Sequence, residues 1–115
     1  MSSELNRDTV ICKIASGASL SGVIDIDGGL AYSLHMPSAW TTANLTFQAS
    51  YDGTTFNNVY DDAGNEVTVT AAASRAITIL SNYLTPFKYI KIRSGTSGSA
   101  VNQAADRAII VELKR

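Results

Sequence analysis

The chain has 115 residues, a formal net charge of −1 and a single cysteine. That length fits one domain, able to bury roughly two thirds of its unfolded surface without disulfides or metals. The balance of charges excludes whole-molecule attraction to nucleic acid or an anionic membrane, and the lone Cys12 excludes an internal disulfide.

The first residues, MSSELNRD, are too polar and too short for a secretory signal, and residues 1–8 read as a flexible arm ahead of a single domain over 9–115. No apolar run approaches the roughly 20 residues that a membrane-spanning helix needs. Side chains alternate faces along a strand, so apolar residues two apart mark strands, and the chain is full of them. Val10, Cys12 and Ile14 form the first set, with Cys12 read as a small core residue of a protein folding in a reducing cytoplasm. Ile24 and Ile26 form the second, and Leu30, Tyr32, Leu34 and Met36 the third, with Asp27-Gly28-Gly29 between them predicting a hairpin. Leu45, Phe47, Ala49 and Tyr51 line one face of the next strand, leaving Asn44, Thr46, Gln48 and Ser50 on a wet face.

Asp52-Gly53 then reads as a tight turn and Asp61 to Gly64 as a second, with Phe56 to Tyr60 as the strand between. Val67 and Val69, Ile77 and Ile79, Phe87 to Arg93, and Ile109, Val111 and Leu113 complete the series. TAAASRAI reads as a small-residue loop between β-branched flanks rather than a helix. Residues 94–107, SGTSGSAVNQAADR, are expected to be the most mobile internal loop. Short strands at regular spacing with Gly, Asn and Asp turns predict an all-β protein, an antiparallel β-sandwich of jelly-roll type with about eight strands.

The sequence offers little for catalysis. Serine and cysteine hydrolases need a nucleophile, a base and an orienter, and the chain has one histidine, His35, read as a solvated or edge-strand imidazole. One Cys and one His far apart do not make a zinc site, and the glycines match neither the phosphate loop nor the dinucleotide fingerprint. Asp52, Asp61, Asp62, Asn65 and Glu66 have oxygen atoms of the kind calcium prefers, but their spacing is that of turns. No catalytic residue, cofactor or metal is therefore assigned. Lys88, Lys91 and Arg93, with Arg75 and Arg107, offer a basic patch for phosphate or an acidic partner, or a solvated strand with snorkelling stems, the latter preferred. Trp40 reads as a plug at the end of the sandwich or an interface anchor.

AWTTANLTFQASYDGTTFNNVYDDAG, then LTPFKYIKIRSGTSG and a closing DRAIIVELK, together resemble a family of small β-sandwich proteins encoded in tailed-bacteriophage genomes, over roughly residues 38 to 113. The resemblance implies a virion structural component, made in the host cytoplasm, of which capsid decoration or cement proteins are one kind and neck, tail or head-spike-base proteins another. Its partners would be the major capsid protein or other virion proteins, without nucleic acid or membrane. A homo-oligomer is expected, and a trimer would suit a quasi-threefold capsid site. The expected partner-binding residues are Leu5 and Arg7 on the arm, with Trp40, Tyr51, Phe56, Tyr60 and Arg93. The same segment also resembles part of a discoidin-type carbohydrate or lipid module, without that family's bracketing cysteines, which would have Trp40, Tyr51 or Tyr60 stack on sugars.

Overall fold

A computed structural model describes residues 7–26, 29–79, 83–84 and 86–114. Its strands are β1 (Arg7–Ile14), β2 (Ile24–Asp25), β3 (Leu30–His35), β4 (Leu45–Ser50), β5 (Asn57–Asn58), β6 (Ala76–Thr78), β7 (Tyr89–Thr96), β8 (Ser99–Ala100) and β9 (Arg107–Lys114). Two antiparallel sheets result, one ordered β1-β9-β3-β6 and the other β2-β7-β4-β5, with β8 folded back on β7. With β8 set aside as a short hairpin, the remaining eight strands follow the jelly-roll wrapping, in which the chain passes back and forth between two sheets. The core between the sheets is apolar, with Phe47, Leu34, Leu45, Ile90, Ile92, Ile109 and Leu113 among its fully buried side chains.

This wrapping corrects the predicted hairpin around Asp27-Gly28-Gly29. β2 pairs with β7 while β3 pairs with β9 and β6, so the chain changes sheets there. Asp27 and Gly28 themselves lie outside the described residues. A turn signal shows that the backbone reverses, but not which strand then receives it.

Three further expectations are revised. The set Leu30, Tyr32, Leu34 and Met36 does not share a face, because a bulge between Ala31 and Ser33 resets the alternation and buries Ala31 with Leu34. Arg7 and Asp8, assigned to the arm, pair with Lys114 and Leu113 as part of β1, while Leu5 lies outside the described residues. Residues 94–107 are built, not loose: Gly95 and Thr96 pair with Ala100 and Ser99, and Gln103 beyond them is buried. The TAAASRAI stretch, residues 70–77, runs into the start of β6 and holds no helix.

Candidate functional site

The segment from Ser50 to Glu66 builds the most distinctive surface. Ser50 ends β4 with its side chain buried, and its hydroxyl donates to Asp52 Oδ1 at 2.8 Å while accepting the Gly53 amide at 2.9 Å. The other half of the turn is tied down by Asp52 Oδ1, which accepts the Thr54 and Thr55 amides at 2.9 and 3.0 Å. Donation by the Thr55 and Thr54 amides and the Ser50 hydroxyl to the charged carboxylate lowers the Asp52 pKa to about 2. Gly53 has φ of +79°, and a β-carbon there would meet the Tyr89 ring at 3.3 Å, so the turn also rests against β7.

The chain then pairs with β4 as β5, and Tyr60 bridges to Glu66 across a second turn. There Asp61 repeats the role of Asp52, its Oδ1 accepting the Ala63 and Asn65 amides, each at 2.9 Å. Each of these aspartates follows a tyrosine. Tyr51 and Tyr60, 86% and 53% exposed, are thus held by turns with fixed backbones.

Between them lies a groove of about 420 Å³, floored by Ala49, Val59 and Phe87 and rimmed by Thr55, Asn57 and Asn58. Tyr60 and Phe87 also wall an adjoining recess that carries Asp61, Asp62 and Tyr83. Among the described residues no His, Cys, Asp and Glu side chains gather as a metal-holding group. The carboxylates of Asp52 and Asp61 accept amides of their own turns.

The other expected residues lie apart from this groove. Trp40 stands at the far end of β4, half-buried against the core, its indole N–H donated to the Ala43 carbonyl at 3.0 Å. Phe56 lies under the Lys91 ammonium, 4.4 Å from the ring centre. Arg93 is not the solvated cation expected of an open strand. It is buried on the outer face of its sheet, where its guanidinium donates to Thr46 Oγ1, Asn58 Oδ1 and Glu66. For the same reason the expected wet face of β4 is covered, with Thr46 and Ser50 buried.

Sequence reasoning missed Phe87 as groove floor, Asn57 and Asn58 as its rim, and Gln103. Asn57 stands opposite Ala49 in the ladder, a register that local sequence does not reveal. Gln103 is buried and fully used: its amide donates to the Thr41 carbonyl and Ser94 Oγ at 3.0 and 2.7 Å and accepts from the Thr41 amide and Arg107 Nε at 2.9 and 3.0 Å. His35, on central β3, has Nε2 2.7 Å from Glu112 Oε1, which also accepts the Ser33 hydroxyl. Cys12 is buried, and desolvation raises its pKa, so its thiol is held in the neutral form.

No family model, curated protein or solved structure matches the chain.

Proposed function

We propose that this chain is a non-enzymatic structural protein of a tailed-bacteriophage virion, a capsid decoration or cement protein that docks on the outer shell and stabilises it. The observation that carries the reading is an exposed apolar pair on the outer face of one sheet. Ile11 of β1, 61% exposed, stands directly opposite Ile110 of β9, 38% exposed. Adjacent exposed apolar side chains offer contact surface, and Ile11 lies in β1, the edge strand that residues 1–6 precede. Residues 1–6 and the adjacent apolar spot would give each copy two weak contacts, which repetition over a shell multiplies.

Three things add support. The motif resemblance over residues 38 to 113 points to virion proteins. The jelly-roll wrapping recurs in viral capsid domains, an analogy at the level of fold. Buried polar side chains such as Arg93 and Gln103 bind strand to strand, as suits a rigid building block.

The test is the copy number of the protein in purified particles of the phage encoding it, by quantitative mass spectrometry against the major shell protein. Near-equal copies are expected, and Ile11→Asp or removal of residues 1–6 should lower occupancy. A handful of copies per particle would move the protein to the neck, tail or spike base, and complete absence would sink the virion reading.

A further inference from the structure

We propose that the groove between Tyr51 and Tyr60 is a binding site for a neutral oligosaccharide. This inference stands on the groove alone and does not rest on the virion reading.

Three features choose the ligand class. The first is the aromatic surface. A pyranose ring has an apolar face of C–H groups that packs on an aromatic ring, and Tyr51 and Tyr60 are both largely exposed at the same groove, with Phe87 in its floor. The second is the rim. Thr55 and Asn57 place a hydroxyl and an amide at the groove, Asn57 standing opposite Ala49 on the same face of the sheet, and an amide joins a donor and an acceptor in one plane, the pattern that neighbouring sugar hydroxyls complement. Asn58 also borders the groove, but its side chain is taken up by Arg93 and Gln48 on the outer face of the sheet.

The third feature is charge. Among the described residues neither the groove nor the adjoining recess is lined by lysine or arginine, and the recess carries Asp61 and Asp62. Nucleic-acid bases also stack on tyrosine, but the phosphates that accompany them require cations at the site, and carboxylates repel them. Sulfated and sialylated glycans meet the same objection. An acyl chain would leave the Thr55 hydroxyl and the Asn57 amide without partners. A neutral, hydroxyl-rich ligand satisfies all three features.

Rigidity adds to the case. Both tyrosines precede aspartates whose carboxylates fix the following turn, and Gly53 seats the first turn on Tyr89. A platform already in place loses little conformational entropy when a ligand arrives.

The experiment is a printed array of neutral, sialylated and sulfated glycans probed with the intact protein, followed by solution titration of the strongest neutral hit, with maltohexaose and cellohexaose titrated alongside. Tyr51→Ala and Tyr60→Ala are each expected to weaken binding about tenfold or more, the loss typical of truncating a stacking aromatic. Tyr51→Phe and Tyr60→Phe, which keep the ring, should retain most of it, and Val23→Ala, at an exposed residue that does not line the groove, should change nothing. The proposal is overturned if no neutral glycan binds, if the alanine variants bind as the parent does, or if sulfated glycans are preferred. A decaproline peptide that binds through the two tyrosines while neutral glycans do not would also overturn it and give the groove to a peptide.

Discussion

The guanidinium of Arg93 reaches across from β7 to the Glu66 carboxylate at 3.3 Å, with both groups largely removed from solvent. Glu66 in turn accepts the Ser97 amide at the start of the β7–β8 turn, so one ion pair ties the 60–66 turn, β4 through Thr46, and the last hairpin together. Removing one member of a buried pair strands the other charge, which costs about 3 to 5 kcal/mol. Arg93→Met is therefore expected to lower stability by an amount in this range in urea unfolding. Arg93→Met combined with Glu66→Leu should be less destabilised than the single variant, because no charge is left unpaired.

Gln103 makes a second such prediction at the Trp40 end of the sandwich. Gln103→Leu keeps the volume but orphans the Thr41 amide and carbonyl together with Ser94 Oγ. Loss of partners for buried polar groups costs about 1 to 3 kcal/mol each when water cannot replace them. Thermal unfolding should show a fall of at least about 2 kcal/mol, and hydrogen exchange should quicken first at Thr41 and Ala104, whose amides this cluster holds.

Asp52 sets a pH dependence with a definite sign. Its folded pKa of about 2 lies below the ordinary 3.8, so the unfolded chain takes up its proton first as pH falls. The stabilisation is fully present above about pH 4 and fades as pH drops through about 2. Asp52→Asn should flatten the slope of stability against pH in that window while leaving the rest of the profile unchanged. An NMR titration of the Asp52 carboxyl resonance checks the midpoint directly.

Gly95 leaves no room for a side chain. Its φ is +92°, and a β-carbon would stand 2.5 Å from the Ser99 carbonyl oxygen and 2.7 Å from the Val101 nitrogen, both backbone atoms of the returning hairpin. Gly95→Ala should destabilise by about 2 kcal/mol or more through strain and displacement of β8. Gly98→Ala, with nothing within 4 Å of the added carbon, should be tolerated, and the contrast is read from paired denaturation curves.

The turns and strands of the candidate site were legible because their causes are local. Asp52-Gly53 and Asp61 to Gly64 carry the residues that cap such turns, and both turns form with those carboxylates as acceptors. The exposure of Tyr51 was not legible: alternation grouped it with Leu45, Phe47 and Ala49, but β4 ends at Ser50 and the turn carries Tyr51 out of the core. What was not legible is that Tyr51 and Tyr60 share a groove whereas Trp40 stands at the other end of β4, since that depends on how β5 registers against β4. Arg93 misled for a related reason. Alternation put it correctly on the outer face of its strand, but the residues covering that face, Thr46, Asn58 and Glu66, come from elsewhere in the chain.

By itself the sequence determined the all-β character, the inward faces of β1, β4, β7 and β9, the burial of Cys12 and the places where the chain turns. Period-two alternation and turn chemistry act between neighbouring residues, so they can be read without the fold. The tertiary structure alone decided that β2 and β3 belong to different sheets, that a bulge resets β3, that Gln103 is an interior tie, and that two tyrosines meet across one groove. Each of these depends on a partner distant along the chain, and partner choice is set by the joint burial of all strands, which no local window contains.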